Sequence, residues 1–137
     1  MIKENIPKIG VAIIGYGGMG AWHGRLLKTV DCVELIGTYD INPDRLTVAR
    51  ENEIRTFDSM DALLSDSRVD VVTVAIPNHL HEEICIRAME AGKNVILEIE
   101  IQGALKIKEK QRKRYAFCFL GKAYLFYSIS FCKVLKF

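Results

Sequence analysis

The residues with the clearest chemical potential are six in a row, Gly15-Tyr16-Gly17-Gly18-Met19-Gly20. They follow the apolar run Ile9–Ile14 and open a segment with helical character that extends to about Val30. In a strand–turn–helix setting, glycines spaced G-x-G-x-x-G have separate tasks. Gly15 allows the tight turn, Gly17 lets the backbone approach a ligand with no Cβ in the way, and Gly20 permits close helix–strand packing. Gly18 and Met19 complete the loop, and the free N–H groups at a helix start, with its positive dipole end, suit a pyrophosphate. Asp40 is the second element of the pattern. It ends the next apolar run, twenty residues after Gly20, where a carboxylate accepts hydrogen bonds from ribose hydroxyls and repels a 2′-phosphate. A dinucleotide of the NAD type is therefore expected, with NADP disfavoured.

These residues need a scaffold of parallel strands. Ile9–Ile14, Val33–Tyr39, Val69–Ala75 and Asn94–Glu98 are rich in Val and Ile and run continuously apolar, and a weaker strand is expected near Thr56. Continuous apolar runs belong to strands covered on both faces. Between them lie helical stretches with their own punctuation. Asn42-Pro43 reads as N-cap and first helical residue. Asn78 is expected to cap a helix over about 79–91, with Leu80, Ile84, Ala88 and Ala91 on its apolar face and Glu83 four residues before Arg87. Gly92 supplies the left-handed residue after it. Strand–helix alternation with right-handed crossovers predicts an α/β fold, a doubly wound parallel sheet of the Rossmann type.

Composition sets the outer limits. The 137 residues are 50% hydrophobic and 26% charged, ordinary for one soluble domain. The net charge of +2 hides an asymmetry. Residues 1–109 carry 12 Lys and Arg against 17 acids, whereas residues 110–137 carry seven bases, no acid, and eight of the eleven Phe and Tyr. The shift marks a boundary near residue 110; with the strand pattern ending at Glu98, the chain reads as a Rossmann domain over 1–98 followed by a divergent helix and a basic aromatic tail over 99–137. A helix is expected over 101–113 and a strand over Tyr115–Leu120, while 121–137 resists assignment and leaves two alternatives open, an aromatic strand or helix on the sheet edge and a disordered or aggregating segment. The tail carries no nucleic-acid motif, and Lys122, Lys133 and Lys136 interrupt any membrane span. Cys32, Cys85, Cys118 and Cys132 form no CxxC pair, which points to reduced thiols in the cytoplasm. His79 and His81 lie two apart at a helix start and do not share a face, so no metal is expected there.

The stretches VAIIGYGGMG (11–20), ELIGTYDINPDR (34–45), VDVVTVAIPNHLHEE (69–83) and AMEAGKNVILE (88–98) resemble the N-terminal domain of the Gfo/Idh/MocA oxidoreductases, the glucose–fructose oxidoreductase and inositol dehydrogenase family. The resemblance implies hydride transfer between a nicotinamide cofactor and a sugar or polyol. It also implies that Ala75, Pro77, Asn78 and His81 line the cofactor site, with Glu98 beside them. It further implies a Glu-Lys-Pro at the end of the next strand, whose lysine is a main catalytic residue. Here those positions read Glu98, Ile99 and Glu100, and isoleucine can neither move a proton nor polarise a hydroxyl. Loss of general acid–base help costs on the order of 10²–10⁴-fold in rate, so no catalytic residue is assigned. The family's substrate domain has no counterpart in the 39 residues after Glu98. The expected role is therefore a cofactor-binding domain that does not turn over alone, with the dinucleotide its partner and no small-molecule substrate bound by this chain alone. The alternatives are a non-catalytic NAD-binding sensor or subunit, and a chimeric gene fragment. The last arises because EAGKNVILEIEIQGALKIKEK (90–110) is also similar to the middle of a guanylate kinase, although no GxxxxGK[ST] phosphate loop is present.

Overall fold

A computed structural model describes residues 7–97, 106, 109–110, 115–120 and 123–128. Four parallel strands form its centre: β1 (Ile9–Ile14), β2 (Val33–Tyr39), β3 (Val71–Val74) and β4 (Asn94–Leu97). Thr56 makes one parallel bridge to Thr38, which is the whole of the weak strand expected there. The predicted Tyr115–Leu120 strand is present as β5. Within 121–137, β6 (Ala123–Ser128) takes the strand alternative and pairs antiparallel with both β5 and β4. The sheet order is β2-β1-β3-β4-β6-β5.

The helices are α1 (Gly18–Leu27), α2 (Pro43–Glu51), α3 (Met60–Ser65) and α4 (His81–Glu90). Both faces of the sheet are covered, as the apolar runs require. On one face Ile36, Val72, Val74 and Val95 pack with Leu63 and Leu64 of α3 and with Cys85, Ala88 and Met89 of α4. On the other, Tyr16, Ala49 and Ile54 form a smaller cluster with Ala21 and Leu35. Helix α1 buries only Gly20 and Gly24, so its axis lies close to the strands.

Several local expectations need correction. Helix α1 stops at Leu27 rather than Val30, because Thr29 and Val30 donate three residues back, to Leu26 and Leu27, and tighten the chain into a turn. Asn78 does not cap α4. It opens a single 3₁₀ turn, Asn78–Leu80, held by Leu80 N–H to Pro77 O at 3.0 Å, and its side chain caps nothing. That turn shifts the phase of α4: the buried face is His81, Cys85, Ala88 and Met89, while Ala91 is exposed. Gly92 has φ +81°, the expected left-handed conformation. Asn42 caps α2 as expected, accepting from Asp44 N at 3.0 Å with Pro43 first in the helix. Of the helix over 101–113, Lys106, Glu109 and Lys110 are helical and the rest lies outside the described residues.

Candidate functional site

The strand order reverses between β1 and β3, so the connections leaving their C-terminal ends run to opposite sides. In open α/β sheets this switch point is where ligands bind. A cavity of about 400 Å³ opens there, lined by Ile14 and Gly15 at the end of β1, Tyr39, Asp40 and Ile41 at the end of β2, and Ala75, Ile76 and Pro77 after β3.

The glycine loop fits that position for separable reasons. Gly15 has φ +93°, and a Cβ there would lie 2.3 Å from the Ala75 carbonyl oxygen. A Cβ on Gly20 would lie 1.9 Å from the Gly15 carbonyl oxygen, so helix and strand meet too closely for any side chain. Gly17 and Gly18 differ. A Cβ on Gly17 would make only an ordinary 3.5 Å contact with the Arg45 guanidinium, and one on Gly18 would meet nothing within 4 Å. The protein itself does not demand glycine at these two positions. Gly17 is the N-cap of α1 without a side-chain cap, and the first turn holds no acid. Ala21 N–H bonds Gly17 O at 2.9 Å, so the amides of Gly18, Met19 and Gly20 precede it at the positive end of the helix.

Asp40 joins this loop to β2. Its carboxylate is buried; Oδ2 accepts from Tyr16 N–H at 2.7 Å and Oδ1 from Asn42 N–H at 2.8 Å. The half-exposed Arg45 guanidinium stands 3.4 Å from Oδ2. Oδ2 thus has two donors, whereas Oδ1 keeps a further acceptor site.

Of the other residues singled out from the sequence, Ala75 and Pro77 line the cavity, and Met19 is half exposed on α1. Asn78 is exposed on its turn and His81 is buried at the start of α4; neither is on the cavity wall. Neither ring nitrogen of His81 has a well-formed hydrogen bond among the described residues. Burial lowers its pKa, opposed in part by the Ile76 backbone. Glu98, Ile99 and Glu100 lie outside the described residues. The wall also holds residues that sequence patterns did not single out for the site: Ile41, Arg45, Ser59, Asp61, Leu80 and Arg87. Arg87 bonds Asp61, at 2.6 Å, rather than pairing with Glu83.

A family model described as "Oxidoreductase family, NAD-binding Rossmann fold", GFO_IDH_MocA, matches residues 9–117. The chain belongs to the Gfo/Idh/MocA oxidoreductase family. The match runs through the 90–110 stretch and beyond it. Among relatives, 2,7-anhydro-N-acetylneuraminate hydratase of Mediterraneibacter gnavus is 37% identical over 90 residues, 66% of this chain and 24% of that protein. An inositol 2-dehydrogenase/D-chiro-inositol 3-dehydrogenase of Lactiplantibacillus plantarum is 32% identical over 72% of this chain and 29% of its own length. Among solved structures, an NAD-binding protein from Listeria innocua superposes with a TM-score of 0.71 at 34% identity, covering 77% of this chain and 33% of that one. GenD2 from gentamicin A biosynthesis, solved in complex with NAD, gives 0.70 at 27% identity over 79% of this chain and 32% of its own. The chain thus spans about a quarter to a third of these family members. It is their NAD-binding Rossmann domain. Among the described residues, no helix is long and apolar enough to cross a membrane.

Proposed function

We propose that this chain binds NAD in preference to NADP in the switch-point cavity. The pyrophosphate lies against the amides of Gly17–Gly20, the ribose hydroxyls on Asp40, and the adenosine among Ile41, Ile76, Pro77 and Leu80. The observation that carries the reading is the buried Asp40 carboxylate beside an uncapped helix start. A 2′-phosphate at that corner would face the buried Asp40 carboxylate, and the neighbouring Arg45 is already engaged with that carboxylate. Bound there, the nicotinamide supplies hydride-transfer chemistry; with Ile99 where the family has its catalytic lysine, this chain positions the cofactor and does not turn over a sugar or polyol alone. A cytoplasmic setting fits the free thiols of Cys32 and Cys85.

The test is titration of the purified chain with NADH and NADPH, followed by nicotinamide fluorescence. Saturable binding with NADH at least tenfold tighter is expected. Equal affinities would overturn the NAD preference, and no saturation with either would overturn the reading itself.

A further inference from the structure

The cavity has polar groups that neither the phosphates nor the ribose uses. Its wall includes Asp61, in the first turn of α3, and Arg87, in the last turn of α4. Arg87 Nη2 donates to Asp61 Oδ1 at 2.6 Å. Most of the rest of the lining is apolar, with Ile41, Ile76, Pro77, Leu80 and Ile84 offering flat aliphatic surface. A slot of aliphatic walls with a charged pair apart from Asp40–Arg45 has the character of a site for a planar heterocycle with a polar edge.

Resting on the dinucleotide reading above, we infer that the Asp61–Arg87 pair recognises the edge of the base and selects adenine. The bond between them uses one carboxylate oxygen and one guanidinium nitrogen. Asp61 Oδ2 remains an acceptor, and Arg87 keeps further N–H donors. The pair therefore presents an acceptor beside a donor, the pattern with which a carboxamide reads adenine through the N6 amino group and N7. A 6-oxopurine shows two acceptors, O6 and N7, along the same edge. One of them would face the Asp61 carboxylate with no proton between. Because the Asp61 side chain is 81% exposed and that of Arg87 41%, water competes for both. The expected discrimination is about tenfold, the low end for a two-point base contact.

A pair that merely tied α3 to α4 would leave base preference untouched, so base preference is the measurement. The full 137-residue chain is titrated with NADH and with reduced nicotinamide hypoxanthine dinucleotide, which differ only in the base. NADH should bind about tenfold more tightly. Asp61→Ala, at an exposed position, should bring the ratio near one, since the remaining guanidinium donates to either base. Asp61→Asn should keep most of it, because its carboxamide again offers an acceptor and a donor. Equal binding of both dinucleotides by the unaltered chain, or an unchanged ratio in Asp61→Ala, overturns base selection while leaving dinucleotide binding in place. Failure of both dinucleotides to bind removes the two readings together.

Discussion

The carboxylate of Asp40 accepts the amide proton of Tyr16 at 2.7 Å, across 24 residues of sequence, and both groups are buried. The residue assigned to ribose recognition therefore also fixes the glycine loop to the end of the neighbouring strand. Site geometry and fold stability are coupled at one side chain.

Removing that carboxylate should act twice. Asp40→Ala leaves the Tyr16 N–H without its partner, and an orphaned buried donor costs about 1–3 kcal/mol. Urea unfolding should show a loss of that size, together with weaker NADH binding. Asp40→Ser keeps a small polar group and removes the charge, so the NADH-to-NADPH affinity ratio should fall toward one. An Asp40→Ala variant as stable as the parent would contradict the coupling.

The glycines of the loop should tolerate alanine unequally. Gly20→Ala forces a methyl against the Gly15 carbonyl, 1.9 Å away, and nothing flexible can yield. Overpacking of this kind costs about 1–3 kcal/mol or more. Gly18→Ala meets open space in the first helical turn and should be neutral or stabilising by up to about 1 kcal/mol. Thermal unfolding of the two variants side by side would separate them, and equal losses would refute the packing account.

His81 should make the fold acid-sensitive in a defined window. Burial lowers its pKa in the folded state below the ordinary 6.5. Above pH 6.5 both folded and unfolded chains hold the ring neutral, so stability is at its full value there. As pH falls through 6.5 the unfolded chain takes up a proton that the folded chain refuses, and stability is lost until the folded pKa is reached. His81→Leu removes the titrating group and two poorly partnered nitrogens. Comparing urea midpoints at about pH 7.5 and 5.5 should show a smaller acid loss in the variant. Identical losses would rule His81 out as the source.

The cysteines should differ in reactivity. Cys85 is fully buried on the inner face of α4, and desolvation raises its thiol pKa to about 12. Cys32 is exposed. Because the thiolate is the nucleophile, brief alkylation of the native protein near pH 8, mapped by mass spectrometry, should label Cys32 and spare Cys85. Equal labelling at both would show that the α4 face opens readily.

What the sequence made legible was local. The four central strands announce themselves as Val- and Ile-rich runs because each is covered on both faces, and the glycine loop and Asp40 follow from a short motif with fixed spacing. What it hid depends on distant partners. Helix α3 is six residues long, too short to show a helical period, and its only signal is Ser59, whose hydroxyl accepts from Ala62 N–H. Asp61 and Arg87 lie 26 residues apart, and no spacing rule connects them. The one-residue phase shift of α4 comes from the 3₁₀ turn at Asn78, which a capping asparagine and a 3₁₀ asparagine announce alike. It matters to the site, because Leu80 and Ile84, expected on the core face, both line the cavity, Ile84 while still packing against the core.

The central claim is the location of the dinucleotide at the switch point between β1 and β3. Amide chemical-shift mapping of the ¹⁵N-labelled chain during titration with NADH tests it most directly. The largest shifts should fall on Gly15–Gly20, on Asp40 and Ile41, and on Ile76 and Leu80. Saturable shifts clustered on another surface, with the glycine loop unmoved, would contradict it.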